Sequence, residues 1–271
     1  MSALKRPMLT LGVVVALVVA LFPMLYMVRI ALSAPNQWRT PTPEWTAPIY
    51  TDSFASVWAG RFPSLLMNSG ILAVGSTLFV MAVASLAAHA MARHPSAKLR
   101  KNVMFFALST RMGPAVVFAL PLFLMMTSLN LIDSRLGMLA VYVFYNLAFA
   151  IWLLHGFFSE VPREIEEAGL VDGLSSFGSF WRIAVPNALP GIIATATLVF
   201  ILTWNEFFYA LVLTRRAAAT YPTAVPGFFG AFTVQWGEMF AASTLGIIPP
   251  LVFGLAMRRY LVRGLSMGTA R

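Results

Sequence analysis

Five of the ten acidic residues in this 271-residue chain, Glu160, Glu164, Glu166, Glu167 and Asp172, crowd one short stretch between apolar runs. Acids do little to set membrane topology, so their concentration has another cause. A second set of candidates lies inside apolar segments: Arg111, Asn205 and Glu206. Polar groups at membrane depth are costly to bury and usually functional, so these three are candidates for contacts along a solute pathway. The competing reading is a hydrogen-bonded network between spans, which weighs equally for Glu206 and more heavily for Arg111. Metal chemistry has no support: His89, His94 and His155 are dispersed, no H-E-x-x-H spacing occurs, and cysteine is absent. Nothing matches G-x-x-x-x-G-K-[ST], so the chain lacks the usual cradle for nucleotide phosphates.

The elements that must position these residues follow from composition. Hydrophobic residues make up 59% of the chain and charged residues only 11%, against about 25% charged in a soluble domain. Lipid is therefore the solvent for most of it. A span needs about 20 apolar residues to cross a hydrocarbon core of about 30 Å. Six segments qualify: 8–32, 66–91, 103–128, 136–158, 189–213 and 239–262. The first is too long for a secretory h-region, and Pro35 follows the only cleavage-like site, so it reads as an uncleaved span.

The net charge of +9 would suggest nucleic acid in a soluble protein, but the cations sit in short runs between spans. With both termini inside, twelve Lys and Arg fall in inner segments and five (Arg39, Arg61, Arg135, Arg215, Arg216) in outer ones. The positive-inside bias thus favours cytoplasmic termini. Two outer loops are long. Residues 34–65 carry Pro35, Trp38, Pro41, Pro43, Trp45, Pro48 and Tyr50, which suits an interfacial anchor. Residues 214–238 contain Pro222, Pro226, Gly227 and Gly230.

The acidic stretch lies in the inner loop 159–188, which reads as two short helices. Pro162 suits the start of the first, followed by Glu residues that complement the helix dipole. Glu160, Glu164 and Glu167 share one face, with Val161, Ile165 and Ala168 on its neighbour. Gly173 is the terminator, Ser175 or Ser176 the next cap, and Phe177, Phe180, Trp181 and Ala184 the apolar face of a second helix ended by Pro186. A hairpin lying on the membrane is the plain alternative. An acidic helix suits an anionic leaflet poorly, so a protein partner with basic or polar groups fits better.

Glu167-Ala168-Gly169, Gly173, Ile183 and Val185-Pro186 stand at the spacing of the loop signature of ABC importer permeases. Gly169 and Val185 depart from the usual Ala and Leu. Asn68-Ser69, Ser109-Thr110-Arg111-Met112 with Pro114 and Pro121, Trp204-Asn205-Glu206-Phe207 and Gly264-Leu265-Ser266 are similar to the maltose-type permeases of carbohydrate importers. The resemblance implies an all-α polytopic fold of six transmembrane helices, with a coupling helix between the fourth and fifth (the type I importer permease fold). It divides the chain into residues 1–61 (first span and external loop), 62–262 (transmembrane domain, loop at 159–188) and 263–271 (cytoplasmic tail).

The function so implied is that of a non-catalytic inner-membrane subunit forming half of the pathway for a sugar, oligosaccharide or polyol. Glu164, Glu167, Ala168, Gly169, Asp172, Gly173, Ile183 and Pro186 would dock an ATPase. The implied partners are a second related permease subunit, a pair of ATP-binding subunits and an extracytoplasmic solute-binding protein, with ATP and Mg held by the ATPases and no cofactor in this chain. Met125, Met126 and the residues near Phe105 read as packing. Two other classes compete. A membrane-embedded enzyme would need a nucleophile or metal cluster at membrane depth, which the sequence lacks. An ion-coupled secondary transporter usually shows internal repeats, and none is found here.

Overall fold

The computed structural model describes the backbone of residues 5–34, 45–229 and 234–267, and the side chains of residues 8–34, 45–229 and 234–259. Its helices are α1 (Lys5–Ala31), α2 (Asp52–Ala59), α3 (Phe62–Arg93), α4 (Ala97–Met112), α5 (Ala115–Ser128), α6 (Arg135–Glu160), α7 (Arg163–Val171) and α8 (Ser176–Ser179). A π-helical turn (Phe180–Ala184) leads from α8 into α9 (Val185–Trp204), which α10 (Phe208–Leu213), a 3-10 stretch (Tyr221–Phe228) and α11 (Trp236–Met267) follow. Five helices among the described residues are long and apolar enough to cross a membrane, six if the bent pair α4–α5 is one span. The chain is an all-helical polytopic membrane protein. Large apolar side chains such as Leu78, Phe105 and Phe144 point outward, about two-thirds or more exposed, a surface that lipid rather than water can cover.

Two spans differ from the continuous helices that hydropathy predicts. Residues 103–128 read as one helix, yet the chain bends by 91° between α4 and α5. Pro114 lacks an N–H and disfavours helical geometry at Gly113, which is extended at φ −73°, ψ 134°. Residues 189–213 read as another, yet α9 stops at Trp204 and the chain restarts as α10 at Phe208. The last span runs to Met267, beyond the expected end at 262.

The chain divides into two compact units, Met1–Leu66 with Tyr221–Ile248 and Met67–Thr220 with Pro249–Arg271. In the first, buried Arg29 ties the end of α1 to the following segment, donating to Ser33 Oγ at 3.2 Å and to the Ala47 carbonyl at 3.2 Å. Tyr221 packs edge-on to Phe62, 6.5 Å between ring centres, and its ring lies against Gly246, where a Cβ would collide with it. Trp45, Pro48 and Tyr50 lie in a described part of the first outer loop and are largely exposed. Pro35, Trp38, Pro41, Pro43 and Gly230 lie outside the described residues.

The second unit holds two apolar clusters, one at each end of the bundle. One joins Ala88, Ala92, Leu154, Phe158, Phe180 and Ala184. The other joins Leu72, Met138, Tyr142, Tyr209 and Leu213. At the latter end Asp133 adopts φ 55° and its carboxylate accepts the backbone N–H groups of Arg215, Arg216, Ala217 and Ala218 at 2.9–3.1 Å. Asn68 adds donors to the Ala217 and Ala219 carbonyls and accepts from Arg135 Nε at 2.9 Å. Successive amides turned toward one carboxylate make an anion-binding concavity.

Burial disfavours the Asp133 carboxylate, but the amides of Ala217, Ala218, Arg215 and Arg216 outweigh it and hold the group at about 2, below the ordinary 3.8. A depressed folded-state value means that the contribution is complete above 3.8 and is lost as pH falls through about 2. Asp133→Asn is therefore expected to lower the melting temperature in detergent by about 3 °C at neutral pH. The gap to the parent should stay constant down to about pH 4 and close below it. A gap that widens in acid would contradict this clamp.

Candidate functional site

The inner hairpin is built by local rules. Pro162 precedes α7 directly, and Glu164 and Glu166 lie in its first turn. Gly173 at φ 90° makes the turn that follows, a conformation that β-carbon crowding denies most residues. Ser175 caps α8 by accepting the Gly178 N–H at 3.1 Å. Glu164, Glu167, Ala168, Asp172, Gly173 and Pro186 are exposed, Ile183 is half-buried and Gly169 is buried.

Three expectations about this hairpin change. Pro186 does not end the second helix. It occupies the first turn of α9, where its missing N–H is tolerated after the π-helical turn, so the hairpin runs straight into the span. The buried face of α7 is Glu166 and Gly169, while Ile165 and Ala168 of the expected apolar face are exposed. Phe180 and Ala184 are buried, but Phe177 and Trp181 are more than half exposed. Gly169 also gains a reason: a Cβ there would overlap Ile183 Cδ1, so two residues of the loop signature meet through the missing side chain.

Glu166 is the acid that sequence reasoning left out of the site. It is buried, with Oε2 2.8 Å from His89 Nε2, and Oε1 takes hydrogen bonds from Arg93 Nε (3.1 Å) and Nη2. Burial alone would raise its pKa, but the bonds from Arg93 and His89 prevail and hold it below the usual glutamate range. The His89 ring packs against Phe158 and Phe180, at 5.5 and 5.0 Å.

At membrane depth, the break after α9 places Asn205 and Glu206. The Glu206 carboxylate accepts the N–H groups of Tyr209 (2.8 Å) and Ala210 (3.1 Å), capping α10. Asn205 Nδ2 donates back to the Ile201 carbonyl at 2.8 Å. Arg111, at the end of α4, donates to Asn146 Oδ1 at 2.9 Å and lies over the rings of Tyr145 and Phe149, at 4.1 and 5.0 Å. Asn146 continues to Thr203 Oγ1 at 3.1 Å, which Ser76 Oγ approaches at 3.4 Å, so one polar chain crosses α4, α6, α9 and α3. A cavity of about 530 Å³ opens beside these residues, lined by Phe118, Met125, Phe144, Tyr145 and Tyr209. Met125 and Met126, expected to be packing alone, both border it.

A sequence model of the family described as "Binding-protein-dependent transport system inner membrane component" matches residues 81–267. The chain belongs to this family. The permease is 37% identical over 210 residues to the probable ABC transporter permease protein y4oR of Sinorhizobium fredii, spanning 78% of this chain and 75% of that protein. It is 30% identical to the trehalose/maltose transport system permease protein MalG of Thermococcus litoralis over 100% of its own length and 98% of the relative's. In fold it is similar to a chain from the crystal structure of a bacterial ABC transporter involved in the import of the acidic polysaccharide alginate. That match has a TM-score of 0.78, 20% identity, and coverage of 96% and 98% of the two chains.

As a permease of a binding-protein-dependent ABC importer, the protein is a non-catalytic membrane component that carries no cofactor. The structure brings the expected pathway residues Arg111 and Glu206 to one region, where Tyr209 lies near both. It gathers the loop residues into one hairpin at the other end of the bundle. His89, Arg93, Asn146 and Asp133 escaped sequence reasoning because their partners are remote in the chain. The Glu206 cap had a local signal: an acid three residues before the first N–H of a new helix turn.

Proposed function

We propose that this permease forms half of the translocation pathway for a carbohydrate, and that its inner hairpin is the handle of an ATPase. The cavity beside the two broken spans carries the solute reading. Phe118, Phe144, Tyr145 and Tyr209 offer ring faces to the C–H faces of a sugar, with a few polar groups nearby to orient it. Discontinuous helices at membrane depth are where transporters place such sites. Arg111, Asn205 and Glu206 are assigned to this pathway from behind the cavity wall: Arg111 stacks on Tyr145, and Glu206 fixes the start of the helix that carries Tyr209. The trehalose/maltose and alginate relatives support a carbohydrate cargo.

The exposed Glu164, Glu167, Ala168 and Asp172, with Gly169, Gly173, Ile183 and Pro186 shaping the hairpin, form the docking surface. ATP and Mg are bound by the docked subunits. A second related permease subunit completes the pathway, and an extracytoplasmic binding protein delivers the solute. Both termini and the hairpin then face the cytoplasm.

Uptake of labelled maltose, trehalose and oligosaccharides into proteoliposomes holding the whole complex tests the reading. Tyr209→Ala and Glu206→Ala are each expected to change uptake about tenfold, the loss of one well-packed contact, with ATPase subunits still bound. Unchanged uptake kinetics in both variants would remove the pathway assignment.

A further inference from the structure

The hairpin helix α7 is covalently continuous with α6 on one side and with α8 and α9 on the other. Helix α3 is joined to α7 in the chain only by way of α4, α5 and α6, and the hydrogen bonds between its C-terminal turns and residues 161–166 span 68 to 77 positions. Direct contact between α7 and α3 is therefore tertiary, made by side chains that bridge the two helices.

Those side chains make a joint around the buried Glu166 carboxylate, with His89 and Arg93 half-buried beside it. Glu166 of α7 takes bonds from both His89 and Arg93 of α3. Arg93 Nη2 also donates to the Val161 carbonyl at 2.9 Å, and Arg163 Nη2 donates to the Ala92 carbonyl at 3.1 Å. The Ser179 hydroxyl reaches the Glu166 carbonyl at 3.4 Å. Apolar Ala88, Ala92, Phe158 and Phe180 surround this polar node. A buried ion pair contributes little net stability compared with apolar packing, but separating its partners strands a charge. Such a pair therefore resists partial opening, which suits a joint that must transmit force.

We propose that His89, Arg93 and Glu166 lock α7 to the end of α3, so that the two move as one body when the ATPase pulls the hairpin. The stroke then reaches the second span as well as the fourth and fifth. The inference rests on the hairpin being the ATPase handle. These three are positioning residues: Glu166 is buried where the acids of the docking surface are exposed, and none of the three lines the cavity.

The test uses the full reconstituted complex and reads solute imported per ATP hydrolysed. Glu166→Gln keeps the shape and removes the charge. It is expected to lower that ratio about tenfold, within the usual range of coupling energies, with the ATPase still bound and active. His89→Leu should act in the same direction, and Arg93→Lys should retain part of the ratio. An unchanged ratio in Glu166→Gln would overturn the joint, whereas loss of the bound ATPase in docking-surface variants bears on the handle itself.

A second measurement leaves the joint intact. The chain has no cysteine, so spin labels at Ala90→Cys on α3 and Val171→Cys on α7, both exposed positions, report one distance. That distance should be the same in nucleotide-free and vanadate-trapped complexes whose other subunits lack cysteine. A shift of several ångströms between the two states would show that α7 and α3 part company, and the proposal would fail.

Discussion

Gly173→Val is expected to cut solute uptake at least tenfold while the chain still inserts and assembles. The residue sits at φ 90°, and no atom lies within 4 Å of an added Cβ, so the penalty comes from the backbone alone. A β-branched side chain there costs on the order of 1–3 kcal/mol, which the turn can relieve by unwinding and tilting α7. Tilting swings the exposed Glu167 and Ala168 away from their partner. Gly173→Ala should show the same defect in weaker form. Glu167→Lys should match it without touching the turn, because it reverses the charge offered to the ATPase. Uptake and ATP hydrolysis measured in the same proteoliposomes check this. Normal uptake in both Gly173→Val and Glu167→Lys would end the docking role of the hairpin.

The second large effect concerns the membrane interior. Asn146 is 1% exposed and holds Arg111 on one side and Thr203 on the other. Asn146→Leu removes the side-chain amide acceptor of a guanidinium at membrane depth, which otherwise lies over the rings of Tyr145 and Phe149. Losing a hydrogen bond to a charged group in this way costs about 1.5–3 kcal/mol. The variant is expected to unfold at markedly lower temperature in detergent and to yield little assembled complex. The double variant Arg111→Met with Asn146→Leu should recover most of the loss, because it removes both polar partners together. A double-mutant cycle decides: coupling of more than about 1 kcal/mol is expected, and additivity within about 0.5 kcal/mol would mean that the network does nothing for the fold. If the double variant is stable but fails to import, Arg111 serves the pathway as well as the bundle.

Glycine and proline show how far local reasoning reaches. Gly173 was legible as a helix terminator because the requirement for positive φ belongs to one residue and its neighbours. Pro114 was visible too, yet its 91° consequence was not, because hydropathy averages over a window and an apolar half-helix scores like any other. Pro186 misled for the converse reason. Its helix-stopping effect was cancelled by the wider turn that precedes it, a choice made by the packing of Phe180 and Ala184 in the core.

The sequence by itself determined that lipid is the solvent, roughly where six segments cross it, and that an acidic hairpin hangs between the fourth and fifth. These follow from composition and from spacings of three or four residues, which act within a single element. Only the tertiary structure decided which acids are spoken for. Glu166 rather than Glu164 or Glu167 is buried, because His89 and Arg93 stand 77 and 73 residues away in the chain and arrive only when α3 packs beside α7. Asp133 meets amides 82–85 residues distant for the same reason. A carboxylate is exposed, paired or buried according to what the fold brings within about 3 Å of it, and no local pattern encodes that.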